Sequence, residues 1–151
     1  MNILFLDDDE TRHKFFTEWF YSVKGDGDIL ISVRSAKECI DTLKNKGPFD
    51  LAFLDHDLGG EIFVTKVENT GYEVALFIEM IFQLNKETIG TKIPKSVVVH
   101  SYNKQGADRM LNVLNKICEE YAHWHPFGPD LKQMLIMQKY DEECKKNEKQ
   151  V

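Results

Sequence analysis

Three short apolar runs in this chain stop abruptly at polar, reactive side chains. Asn2-Ile3-Leu4-Phe5-Leu6 runs into Asp7-Asp8-Asp9-Glu10. Asp50 to Leu54 runs into Asp55-His56-Asp57-Leu58-Gly59-Gly60, and Val97-Val98-Val99 into His100-Ser101-Tyr102-Asn103. Apolar runs without polar alternation suit parallel strands buried on both faces. Ile29 to Val33 reads as a further strand, and Tyr121 to Phe127 has room for a short edge strand.

Helical spacing fills the intervals. Phe15, Phe16, Trp19, Phe20 and Val23 share a face of one helix. Ser35 caps a second that runs to about Lys46, with Ala36, Cys39, Ile40 and Leu43 inward. Thr70 and Glu73 have the spacing of a capping box for a third, reaching about Asn85 with Val74, Phe77, Ile78, Ile81 and Phe82 mostly buried. A fourth is expected over 107–121, and a fifth after Pro129 through Leu131, Met134, Leu135 and Gln138. Residues 88–95 read as loop, and 61–69 suits a short hairpin or a flap.

Strand alternating with helix predicts an α/β fold, a doubly wound parallel sheet with right-handed crossovers. Ligands of such sheets gather outside the carboxyl ends of strands, where these polar endings stand. The 151 residues suit one domain over 1–140, with 141–151 as a charged tail expected to fray.

A formal net charge of -6 argues against an extended DNA or RNA backbone surface, while leaving room for a small nucleotide or an RNA end held through a metal. The three cysteines lack metal-type spacing and fit a reducing compartment; Cys39 and Cys118 fall in apolar helical patterns and read as core residues. With no long apolar segment, no membrane association is expected and a cytoplasmic location is the default.

The strand endings resemble the receiver domains of two-component response regulators. The acidic pair Asp7-Asp8, Asp55 after the third strand and Ser101 after the fourth all match, and His125-Pro126-Phe127 echoes the family's late Lys-Pro-Phe without its lysine. The resemblance implies a three-layer, flavodoxin-like sandwich with strand order 2-1-3-4-5, magnesium at the acidic pair and phosphoryl acceptance by the aspartate. Leu6-Asp7-Asp8, Leu54 to Gly59, Thr70 to Glu73 and His100 to Asn103 together resemble a divergent branch, the cyclic-phosphate processing receiver-like family. Arg12, which follows an extra acid relative to that family's pattern, joins Ser101, Asn103 and His125 as a candidate for substrate binding.

Carboxylate oxygens suit hard divalent cations, Mg2+ or Mn2+, and nearby histidine widens the choice toward iron or zinc. Asp7, Asp8 and Asp55 are the candidate ligands, although an acidic first helical turn also accounts for one or two of the leading acids. His56, His100 and Asp57 are the candidate catalytic residues, the histidines because imidazole titrates near neutrality. Strand alternation sends His56 away from Asp55 and Asp57, whereas a turn at Asp55 lets it face the site. Asn103 is equally a helix cap.

These residues point to a metal-dependent phosphoesterase acting on a cyclic or linked phosphate of a nucleotide or RNA end. The alternatives are a phosphoacceptor signalling domain, or a non-catalytic binder that sequesters a phosphorylated nucleotide. An oligomer is compatible with all three.

Overall fold

The computed structural model describes residues 1–85 and 93–150. Of the loop expected over 88–95, residues 88–92 lie outside the described residues. The strands are β1 (Asn2–Leu6), β2 (Ile29–Val33), β3 (Leu51–Leu54), β4 (Ser96–Val99) and β5 (Ala122–Trp124). They form one parallel sheet in the order β2-β1-β3-β4-β5. The helices are α1 (Glu10–Val23), α2 (Ala36–Lys46), α3 (Gly71–Leu84), α4 (Lys104–Leu114) and α5 (Pro129–Lys149). This is the doubly wound sheet expected from the sequence.

Two cores flank the sheet, and alternation along each strand assigns side chains to them. Leu4, Leu6, Ala52, Leu54, Val97 and Val99 pack with residues of α2, α3 and α4. Ile3, Phe5, Leu51, Phe53 and Val98 pack with Phe16 and Phe20 of α1 and with Leu131 and Leu135 of α5. The central strands are unbroken apolar runs over residues 3–6, 51–54 and 97–99 because successive side chains serve alternate cores.

Several elements differ from the sequence reading. Helix α4 begins three residues early because the Asn103 side chain caps it, accepting from the Gly106 N–H at 2.9 Å. It ends early because Asn115 turns to β5, where its Oδ1 accepts from the Ala122 N–H at 2.8 Å. Cys118 consequently lies in the turn and is exposed, whereas Cys39 is buried as expected. In α3, Val74 and Ile78 are buried while Phe77, Ile81 and Phe82 are only partly so. Thr70 caps that helix, but the Glu73 carboxylate accepts from the Asn69 N–H rather than from that of Thr70.

Residues 61–69 form no hairpin. Their backbone groups are taken by side chains instead: Phe63 N–H by Asp57, Val64 O by Asn103 and Thr65 O by Arg109. The stretch expected to fray continues α5, and Glu142 in it pairs with Lys139 at 3.1 Å and Lys146 at 3.3 Å. Lys139 is itself buried and meets Asp28 at 2.5 Å. No helix among the described residues is long and apolar enough to cross a membrane.

Candidate functional site

The parity of β1, β3 and β4 decides which side chains meet at the carboxyl edge. The ladder runs one residue beyond the strands: Asp7 N–H donates to Val33 O at 3.2 Å, Asp55 N–H to Leu6 O at 3.0 Å and His100 N–H to Leu54 O at 3.0 Å. Counting two by two, Asp7 follows Ile3 and Phe5, Asp55 follows Leu51 and Phe53, and His100 follows Val98. All three therefore project on the α1/α5 side, where the His100 ring stacks on Phe5. His56 falls on the opposite side, with its ring against Gly106 of α4.

Asp7, Asp8 and Asp55 each offer a carboxylate oxygen, and these lie within 4.8 Å of one another. Arg12, in the first turn of α1, reaches over them: its Nη1 stands 3.3 Å from Asp7 Oδ2 and 3.5 Å from Asp55 Oδ2. The four leading acids divide their work. Asp9 caps α1 through the Arg12 N–H at 3.0 Å, and Glu10 pairs with Arg34. Only Asp7 and Asp8 join the cluster, where Asp8 Oδ2 accepts from the Gly60 N–H at 2.5 Å.

Burial works to raise the Asp7 carboxyl, but the His100 Nε2–H at 2.9 Å, the Asp9 N–H and Arg12 outweigh it and hold it below the usual range. Asp55 is pushed up to about 6, first by burial and then by the charge of Asp7, against the pull of His100, Ser101 and Arg12. Burial also opposes ionisation of Asp57. Its bonds from His56 Nδ1–H at 2.7 Å, Asn103 Nδ2–H at 2.9 Å and Phe63 N–H at 2.5 Å nevertheless lower its pKa.

A cleft of about 400 Å³ opens over this cluster, lined by Asp8, Arg12, Asp55, Asp57, Ser101 and Tyr102 among others. The expected proton carriers do not face it. His56 and His100 are both 0% exposed and act on carboxylates, His56 on Asp57 and His100 on Asp7. The alternation argument was therefore the correct one for His56. Asn103 lines the cleft, but its amide is occupied by Gly106 and Asp57, so it caps and positions. The His125 N–H prolongs the β5 ladder to Val99 O, and its ring does not line the cleft.

The cyclic-phosphate processing receiver domain family matches residues 2–116. The chain belongs to this family. Solved receiver domains share its fold. A CheY-like response regulator receiver from Methanospirillum hungatei JF-1 is 18% identical with a TM-score of 0.59, covering 96% of this chain and 97% of that one. The phosphorylated cyanobacterial phytochrome response regulator RcpA is also 18% identical with a TM-score of 0.59, covering 94% of this chain and 91% of its own. The N-terminal domain of a response regulator/sensory box/GGDEF protein from Carboxydothermus hydrogenoformans is 14% identical with a TM-score of 0.59, covering 97% and 98% respectively. No curated protein matches the chain.

Receiver domains bind magnesium at an acidic pocket, and this receiver domain has an acidic cluster in Asp7, Asp8 and Asp55. The donor set fits a hard divalent cation. It consists of oxygens only, and a cation there would favour ionisation of the Asp55 carboxyl, which burial first and the charge of Asp7 next push up. No histidine belongs to the cluster among the described residues.

The sequence reading missed Tyr102 and His13 as parts of the site, and left 61–69 as a hairpin or a flap. Tyr102 and the 60–63 segment line the cleft. His13, buried in α1, donates from Nε2 to Asp7 O at 2.6 Å and fixes the turn that carries the acids. The i+6 spacing of Asp7 and His13 is a signal only once the strand-to-helix turn is known.

Proposed function

We propose that this receiver domain is a metal-dependent phosphoesterase that opens a cyclic or otherwise linked phosphate on a nucleotide or RNA end. The observation that carries the reading is Asp57. It is a second carboxylate facing the cleft, outside the metal cluster, held ionised by three donors. A phosphoacceptor needs the acidic pair and one further aspartate, and the additional carboxylate with its buried histidine serves a reaction that moves a proton.

When bound at Asp7, Asp8 and Asp55, Mg2+ or Mn2+ supplies Lewis-acid polarisation of a phosphoryl oxygen. The remaining roles belong to the chain. Arg12, half-buried beside the cluster, neutralises phosphate charge, and the Ser101 hydroxyl at the cleft wall donates to a phosphoryl oxygen. Asp57 accepts the proton of the attacking water as the water oxygen bonds to phosphorus. The P–O bond to the ester oxygen breaks and that oxygen is protonated from solvent in the open cleft, and His56 holds the Asp57 carboxylate in one orientation. His100 does the same for Asp7. Fixed groups of this kind need no reorganisation as charge develops.

The test is a panel of 2',3'-cyclic and 3',5'-cyclic nucleotides incubated with Mg2+ or Mn2+. Turnover that requires the metal and is lost in Asp55→Asn and Asp57→Asn is expected. No turnover across the panel, or turnover unaltered by Asp55→Asn, rejects the reading.

The placement of Asp55 favours a second reading. It ends β3 beside Asp7, with Ser101 opposite, as a phosphoacceptor would. Amide NMR changes on adding beryllofluoride with Mg2+, in a protein inert toward the panel, would select that switch.

A further inference from the structure

Two exposed aromatic rings beside the cleft have no role in the chemistry above. Phe63 is 70% exposed and Tyr102 58% exposed, with Ile62 at 78% next to them. Phe63 and Tyr102 line the cleft over the acids and also a second cavity of about 390 Å³ that extends to Lys104 and Arg109. The rings thus form the ridge between two hollows.

The backbone holds Phe63 there against its own preference. Its φ of 50° lies in the left-handed region, uncommon for a bulky residue. Its N–H is tied to Asp57 Oδ2, so the same carboxylate that faces the cleft sets the position of the ring. A strained backbone presenting a large apolar ring to water is a feature with a binding use. Charge complements it: the Arg12 guanidinium lies 5.1 Å from the Tyr102 ring centroid. A flat π-system carrying phosphate matches both features.

From this arrangement we infer that the Phe63–Tyr102 ridge is a base subsite, on which the nucleobase of a phosphorylated nucleoside stacks while its phosphate occupies the Asp55–Arg12 cleft. The inference rests on the phosphate-site reading above and adds to it the place where the base of the nucleotide is held. Stacking of this kind is tolerant of base identity because every base has a π-face.

Two probes that a phosphodiesterase does not consume test it by calorimetry in Mg2+: adenosine 2'-monophosphate and inorganic phosphate. The wild-type chain is expected to prefer the nucleotide, Phe63→Ala to lower the ratio of the two affinities about tenfold, and Phe63→Trp to restore it. A ratio unaltered in Phe63→Ala, equal losses for both probes, or no binding of the nucleotide overturns the subsite. The outcomes are separable from those of the turnover panel. A base-dependent ratio in a protein without turnover retains the subsite and rejects the hydrolase, and turnover with an insensitive ratio does the reverse.

Discussion

Gly106 offers a sharp test of how the site is supported, because two effects of opposite sign meet there. It lies in the first turn of α4, where replacing glycine by alanine ordinarily stabilises a helix by about 1 kcal/mol. A β-carbon at this position, however, would stand 2.6 Å from both Cδ2 and Nδ1 of His56. The ring has nowhere to retreat: it is fully buried and anchored through Nδ1–H to Asp57. Forcing extra volume into such a core costs about 1–3 kcal/mol, occasionally more. Gly106→Ala is therefore expected to destabilise the fold by up to about 2 kcal/mol, a fall of about 2–4 °C in Tm for each kcal/mol in a domain of this size. The decisive measurement is a double-mutant cycle in urea. In a His56→Ala background the clash is gone, so Gly106→Ala should raise stability by up to about 1 kcal/mol, reversing its sign. Destabilisation of the same size in both backgrounds, or stabilisation of the wild type, would refute the packing argument.

Two further outcomes follow from buried charge. Burial pushes the Asp55 carboxyl from 3.8 to about 6 in the folded chain, so the native state binds the extra proton between those values. Without metal, stability should fall as pH rises from about 4 to 6, by up to about 3 kcal/mol. Asp55→Asn or added Mg2+ should abolish the fall, and an unaltered pH profile in Asp55→Asn would sink the assignment. The lowered carboxyls, Asp7 and Asp28 among them, act only below about pH 4, where their protonation removes stability. Asp28→Ala should cost about 3–5 kcal/mol in chemical denaturation, because it strips a buried partner from the Lys139 ammonium at 2.5 Å and the Met1 ammonium at 2.6 Å. A loss below 1 kcal/mol would mean that Glu142 takes over both.

The sheet was legible because residues 3–6, 51–54 and 97–99 are unbroken apolar runs that serve both cores, while the strand order came from the resemblance to receiver domains. The cluster of Asp7, Asp8 and Asp55 was legible because parallel neighbours in register bring their ends together. The roles of the histidines were harder to read. Their identity suggested proton transfer, yet whether His56 faced the cleft depended on one more rung of the β1–β3 ladder, which composition does not reveal. The 61–69 segment failed as a hairpin because Asp57, Asn103 and Arg109 compete for its backbone, and all three lie outside it in sequence. Lys139 and His13 were invisible for a related reason. Each is a polar residue on a helix whose partner comes from a different element.

The extra rung has a consequence for how such a site could change over generations of insertion and deletion. Removing one residue from Leu51–Leu54 would exchange the two faces of everything downstream in that edge. It would send the Asp55 carboxylate beneath α4 and deliver the His56 imidazole to the cation pocket. Removing two would shorten the strand but return the same side chains to the same places. Odd and even changes of length in β3 are thus unequal events. Even ones erode the scaffold and spare the chemistry, while a single odd one rewrites the ligand set without altering any residue's identity.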